Sequence, residues 1–397
     1  MQPIPPLFLT NPRLYSFTRS TIATDNVVSV NLYSEGGETL IGGGYLGSQT
    51  IQSLPIDQEF EEFILNALTR LDQIIDLDFI VTNNQKHAEI NFYLDQEINL
   101  GTGSNTILGI ALPNNGVSSH SEGWWETILN YPAFGNKTDY LYYASLHELG
   151  HTLGLEHPFD DSDGDFYQSI DPYSNAYPEQ TVMAYRQPTS GYWPTWYSDA
   201  DLDALINIWG REVQILSPDN DHYVGQNYSE EIQGSLGDDL ITGRRGDDIL
   251  RGGQGDDLIQ GNQGSDIIYG GKGDDQLRGG MNNDTLIGGQ GNDLIIGGSG
   301  NDLMIGSGGD DQLAGGKGRD RLTGGEGSDI FFFSEDQDRA TDFSLEQGDK
   351  LAAPINFQIQ FIQQNNDVLA VAGNMSLIIE NTEINSLNQS DIVIFYA

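Results

Sequence analysis

The stretch Gly252-Gly253-Gln254-Gly255-Asp256-Asp257-Leu258-Ile259-Gln260 is one nine-residue unit, and its pattern returns at Gly288-Gly289-Gln290-Gly291-Asn292-Asp293-Leu294-Ile295-Ile296. From Gly234 to Phe332 the chain divides into eleven consecutive units of the form G-G-x-G-x-D-x-U-x, where U is a large apolar residue. The sixth position is aspartate in every unit: Asp239, Asp248, Asp257, Asp266, Asp275, Asp284, Asp293, Asp302, Asp311, Asp320 and Asp329. The eighth is apolar in every unit, from Ile241 and Leu250 through Met304 to Phe331, and the fourth is glycine except at Asn282. A degenerate unit precedes them at Gly225 to Gln233, with Glu230 where aspartate is expected.

Such a repeat has a direct physical reading. Glycine permits the positive-φ turn that a six-residue loop needs, which leaves a three-residue strand centred on U with one side chain pointing inward. Two units then make one coil, and stacked coils bury a ladder of Ile, Leu and Met. The aspartates stack as well. Carboxylates at strand spacing repel by about 0.8 kcal/mol even in water, and the repulsion accumulates along both ladders. Without a counter-ion the segment is not expected to fold. A hard cation that accepts carboxylate and carbonyl oxygens in a flexible shell removes the repulsion, and calcium suits that role better than magnesium. Metal binding and folding are therefore coupled.

Composition places this array within a bipartite chain. Of 49 glycines in 397 residues, 29 lie between Gly234 and Asp329, whereas the first 230 residues have ordinary globular composition. The net charge is −42, so nucleic acid and anionic lipid are repelled and neither is expected as a partner. With no cysteine there is no disulfide, thiolate nucleophile or Cys-ligated zinc. No run approaches the roughly 18 apolar residues of a membrane helix, and the start, Met1 to Asn11, lacks a cleaved export signal's basic and apolar regions.

The nonapeptide resembles the RTX (repeats-in-toxin) family. That resemblance implies a parallel β-roll in which calcium sits between successive turns, held by the aspartate side chains and loop carbonyls.

A second signal lies at His147-Glu148-Leu149-Gly150-His151-Thr152-Leu153-Gly154-Leu155-Glu156-His157. On a helix His147 and His151 share one face and can offer two imidazoles to one ion. A continuous helix would carry residue 157 roughly 15 Å from His147, too far for the same metal. Gly154 can end the helix in a left-handed conformation and bring His157 round as third ligand. Three imidazoles leave open positions, as in a catalytic zinc site, and Glu148 is placed as general base for the hydrolysis of a peptide bond. Downstream, Thr181-Val182-Met183-Ala184-Tyr185 supplies a methionine turn, with Met183 as an apolar floor beneath the histidines.

These features resemble the metzincin metalloproteases, and within them the serralysin family: Pro158 follows the third His, Met183 and Tyr185 form a Met-x-Tyr element, and RTX repeats follow on the same chain. The resemblance covers the chain from about residue 25 to its end. It implies that Tyr185 is a further zinc ligand that swings away to stabilise the oxyanion. It also implies export by type I secretion machinery, and polypeptide substrates. His87, His120 and His222 have no ligand partners at motif spacing and are read as ordinary residues.

The rest of the chain fits this frame. Glu59 to Ile75 has amphipathic helical spacing, strands are expected at Leu77 to Val81 and Glu89 to Tyr93, and Ser198 opens a helix with a capping box that ends at Gly210. By resemblance, a strand near Leu108 to Leu112 is the sheet edge beside the cleft, open to an extended peptide. Asp160-Asp161-Ser162-Asp163-Gly164-Asp165 lacks EF-hand spacing and reads as a solvated acidic loop, with a calcium site as the alternative. Residues 333–397 lose the nonapeptide but keep Asp342-Phe343 and Gly348-Asp349-Lys350, and resemble an RTX exoprotein cap that also carries the secretion signal.

The expected architecture is an α/β metzincin-like catalytic domain (α+β) at 26–212, after a candidate pro-segment at 1–25. An all-β parallel β-roll follows at 213–332, with a C-terminal β cap at 333–397. The expected function is a secreted, monomeric, calcium-stabilised zinc endopeptidase that uses Zn2+ and multiple Ca2+. The alternative is a calcium-dependent RTX surface-binding or adhesive protein with an inactive protease-like domain.

Overall fold

The computed structural model describes residues 26–33, 35–42, 48–83, 85, 88–95, 109–114, 124–130, 138–155, 194–334, 336–355, 357–387 and 392–396. The chain divides into two compact units, Met1–Glu212 and Val213–Ala397.

The first unit is built on a mixed sheet. Its strands are β1 (Val27–Leu32), β2 (Gly37–Gly42), β3 (Ser48–Leu54), β4 (Asp78–Thr82), β5 (Ile90–Asp95), β6 (Gly109–Asn114) and β7 (Trp124–Asn130). β4, β1, β5 and β7 run parallel. The β2–β3 hairpin joins at the end of β5 through Ser53–Asp95 and Leu54–Leu94. β6 pairs antiparallel with β7, which is its strand partner among the described residues. The expected strand near Leu108 to Leu112 is therefore found, at Gly109–Asn114, at an edge of the sheet among the described residues.

Helix α1 (Gln58–Asp72) starts where Asp57 accepts the Phe60 N–H at 2.9 Å, and it buries Phe60, Ile64, Ala67, Leu68 and Leu71. That stripe recurs every three or four residues, as the sequence spacing requires. Helix α2 (Thr138–Thr152) lies against β6 and β7, and its Tyr142 ring stacks on Phe63 of α1 at 4.1 Å. Helix α3 (Asp199–Trp209) opens with the expected capping box, Ser198 and Asp201 each accepting from the other's backbone, and stops at Gly210 with φ +99°. Among the described residues no helix is long and apolar enough to cross a membrane.

The second unit is a parallel β-solenoid. Strands from alternate units stack into two sheets: Glu231–Leu236, Ile249–Gln254, Ile267–Lys272, Thr285–Gln290, Leu303–Gly308 and Arg321–Glu326 in one, and Leu240–Arg245 through Gln312–Lys317 to Ile330–Phe332 in the other. Each pairs with the strand 18 residues on, as Leu250 does with Ile268 and Ile259 with Leu277. The apolar eighth positions, Ile241 to Phe331, are wholly buried between the sheets. The strands differ from expectation in length. All but the last, Ile330–Phe332, span six residues, because the backbone continues pairing past the apolar position, as at Gly253–Gly271.

A further difference lies at the C-terminal end, where the sheets do not stop with the repeats. Gln337–Ala340 pairs parallel with Arg321–Glu326, and Lys350–Pro354 with Ile330–Phe332. Met375–Ile379 and Val393–Tyr396 extend the same two sheets, again in parallel. An antiparallel meander, Ile359–Gln364, Asp367–Ala372 and Met375–Ile379, closes one of them. The cap is thus a continuation of the roll, whose core passes from Phe331 through Phe343, Leu351 and Ala353 to Leu377 and Ile392.

Candidate metal centres

The roll's aspartates face inward and are 0 to 2% exposed. In each of the eleven, Oδ1 accepts the backbone N–H of the residue 18 positions earlier at 2.8 to 3.0 Å, as Asp257 Oδ1 does from Asp239 and Asp293 Oδ1 from Asp275. For Asp239, Asp257, Asp275, Asp284, Asp293, Asp302, Asp311 and Asp329 the second oxygen, Oδ2, is buried with no hydrogen-bond partner among the described residues. A Cβ built on Gly234 would meet both Asp239 Oδ2 and the carbonyl oxygen of Gly252, and the same convergence recurs at Gly252 and Gly279. Carboxylate and carbonyl oxygens therefore point into one small space that only glycine leaves open. Buried oxygens without donors are costly, and an all-oxygen set at close range is what calcium takes. The residues fit the ion.

Electrostatics agrees. Burial, ahead of all other causes, pushes the carboxyls of Asp257, Asp293, Asp302 and Asp329 up to about 6, Asp275 and Asp311 to about 7, and Asp284 to about 8. Neighbouring carboxylates push the same way; for Asp284 they are Asp266, Asp302 and Asp247.

The ends of the ladder are built differently. Glu230 accepts from Tyr223 Oη at 2.8 Å and from the Gln226 N–H at 2.5 Å, so both its oxygens have protein donors. At the other end Asp338 takes the next place, 18 residues after Asp320, and accepts from Ser334 Oγ. Asp349 follows Asp329 after 20 residues and accepts from the Ser344 N–H at 2.7 Å. Protein donors there occupy the position that Oδ2 leaves open along the repeats.

Fifth positions carry a second ladder that sequence reasoning missed. Asp238 Oδ1 accepts from the Asp256 N–H, Asp256 from Asp274, Asp274 from Asn292, and Asn283 from Asn301, each side chain reaching 18 residues forward along the chain. The inner side chains reach back and these exposed ones forward, so each turn is held in both directions. A signal was present: the fifth position is Asp, Asn or Ser in every unit but that of Arg319.

In the first unit, α2 brings His147 and His151 together, their rings edge to face with centroids 5.0 Å apart. His147 and Glu148 are each 6% exposed. The helix ends as its glycine requires. Leu155 N–H reaches the Gly150 carbonyl at 2.8 Å and Gly154 N–H the His151 carbonyl at 3.0 Å, with Gly154 at φ +100°, the left-handed reversal of a Schellman motif. Its last residue supplies a partner: His151 Nδ1 lies 2.9 Å from the Leu155 carbonyl oxygen. A carbonyl can only accept, so the proton sits on Nδ1 and Nε2 carries the lone pair. Burial lowers the pKa of His151 to about 4, which keeps the ring neutral. A neutral imidazole oriented by a backbone carbonyl is the donor that zinc takes, so this pair fits the ion.

His157, Met183, Tyr185, the Asp160 to Asp165 loop, His87, His120 and residues 1–25 lie outside the described residues. Among the described residues no group of three or more His, Asp or Glu side chains is close enough to hold a metal. His222 begins the exposed strand His222–Val224.

Comparison with known proteins bears on the second unit. No curated protein matches the chain. A solved subunit of the mannuronan C5-epimerase of Azotobacter vinelandii aligns at 23% identity, covering 29% of this chain and 78% of that one, with a TM-score of 0.24. The extracellular lipase LipA of Serratia marcescens aligns at 16% identity over 46% of this chain and 40% of the lipase, also at 0.24. The RTX calcium-binding nonapeptide repeat family matches four times, at residues 224–259, 251–286, 278–313 and 305–340. Residues 224 to 340 are therefore an array of RTX calcium-binding repeats.

Proposed function

We propose that the chain is a secreted zinc endopeptidase whose second unit becomes a roll when it meets extracellular calcium. The observation that carries the enzymatic part is the pair His147 and His151 on one helix face, with the lone pair of His151 assigned to Nε2 by the Leu155 carbonyl. Zinc, when bound, supplies a Lewis acid and a water whose pKa falls to about 7. His157 completes the ligand set once Gly154 has reversed the chain, and Tyr185 serves as a further ligand and oxyanion donor. Glu148, beside His147, takes the proton of the attacking water and delivers it to the leaving amine. β6 offers its outer edge to an extended polypeptide, whose backbone adds as another strand.

The second reading is a calcium-dependent surface-binding RTX protein with an inactive protease-like unit. The observation in its favour is that the family match lies wholly in the repeats, at residues 224–340.

Casein hydrolysis by calcium-loaded protein separates the two. The endopeptidase cleaves, stops with a zinc chelator, and loses about 10²- to 10⁴-fold in rate in Glu148→Ala while still holding zinc. Absence of cleavage from zinc- and calcium-loaded protein leaves the surface-binding reading standing.

A further inference from the structure

Two buried aromatic side chains outside the histidine motif reach back to the helix that carries it. The indole Nε1–H of Trp209, the last residue of α3, donates to the Leu153 carbonyl oxygen at 2.9 Å. The hydroxyl of Tyr197, just before α3, donates to the Leu146 carbonyl at 2.8 Å. Tyr197 is 4% and Trp209 8% exposed. One bond therefore lands on the residue before His147, and the other on the turn that follows His151.

That turn does specific work. Leu153 opens the reversal at Gly154, and Leu155, two residues on, presents the carbonyl that accepts the hydrogen bond from His151 Nδ1–H. A shift of Leu153 thus moves the acceptor that orients His151. Removing a group that orients a metal-bound histidine typically costs about 10- to 100-fold in metal affinity. Buried carbonyls in low dielectric hold their donors firmly.

The geometry points to Trp209, with Tyr197, as a positioning residue for zinc: their bonds flank the His147–His151 pair along the chain, Tyr197 holding the backbone just before His147 and Trp209 setting the tautomer and aim of His151 through the turn 153–155. The inference rests on the zinc reading above. Neither residue touches the metal or substrate.

The test uses the full calcium-loaded chain. Trp209→Phe and Tyr197→Phe each remove one donor and leave a ring in place. Leu205→Ala opens the core on the same helix, where Leu205 is fully buried, without breaking either bond. Zinc affinity is measured by competition with a chromophoric chelator, cobalt(II) substitution supplies a ligand-field spectrum, and thermal melting reports stability. Trp209→Phe is expected to weaken zinc about tenfold and shift the cobalt bands, and Tyr197→Phe to weaken it several-fold. Leu205→Ala should lower the melting temperature at least as far yet keep zinc affinity within about twofold. Unchanged affinity and spectrum in both aromatic variants, or an equal loss in Leu205→Ala, overturns the positioning role alone. A wild-type chain that takes up neither zinc nor cobalt overturns the zinc reading and this inference together.

Discussion

Asp284 shows what a single carboxyl contributes in the roll. Its folded pKa, about 8, stands far above the 3.8 of an ordinary aspartate, mainly through burial. A carboxyl raised in this way stabilises the metal-free fold fully below about pH 4 and loses that contribution as pH climbs through the folded value. With ladder members at about 6 to 8, the window runs from pH 4 to 8. In EDTA the roll's β signal, followed by circular dichroism, should therefore be lost progressively from pH 4.5 to 8, as the neutral carboxyls that permit a metal-free fold ionise. With saturating calcium the melting temperature should instead rise over the same range, because protons then compete with the ion. A flat profile in EDTA would contradict the buried-ladder picture. Asp284→Asn removes one charge and one ligand: metal analysis should find at least one calcium fewer, and the metal-free variant should keep its β signal to a higher pH than the wild-type chain. The inner ladder was legible from an invariant sixth position. The outer one was not, because Asp, Asn and Ser on an exposed turn look like ordinary solvation until the 18-residue spacing of their acceptors is seen.

Elements depend on a few glycines whose conformation side chains resist. Gly154, at φ +100°, ends α2 and reverses the chain. Alanine there costs about 1–2 kcal/mol in left-handed strain, and Gly154→Ala should weaken zinc uptake in chelator competition more than it lowers the melting temperature. In the roll, Gly318 has φ +125°, and a Cβ on it would meet the Gly300 carbonyl. Gly318→Ala should therefore reduce the calcium-induced β signal, whereas a substitution at exposed Gln254 should leave it intact. Asn282 shows the permitted exception, holding φ +77° at a fourth position as asparagine does more readily than other residues. The capped ends of α3 and the glycine stop of α2 were readable in the first unit; the six-residue length of the roll strands was not. It follows from pairing between glycine backbones, which have no side-chain pattern to announce them.

At the scale of the molecule, a net charge of −42 concentrated in part on stacked aspartates makes calcium a component of the fold. Ligand that binds the folded state alone raises stability by mass action. Calcium titration of the whole chain should accordingly produce a cooperative gain in β signal and a concentration-dependent rise in melting temperature, which sodium at equal ionic strength does not reproduce. A β signal already complete in EDTA at pH 8 would refute the coupling. The capped ends, Glu230 with its tyrosine and amide donors and Asp349 with Ser344, should add no ions to the count given by the repeats.

What the sequence by itself determined is the roll, its core and its inward carboxylates, because every unit meets a copy of itself 18 residues away and one local rule propagates along the array. It also placed two histidines on one helix face and a glycine at that helix's end, since both follow from a period of 3.6 residues and a positive φ. Only the tertiary structure decided the rest. The continuation of both sheets past the repeats depends on contacts such as Arg339 to Glu380, 41 residues apart, and the grip of Trp209 on Leu153 spans 56. Such contacts are set by how whole elements pack, which no local periodicity encodes.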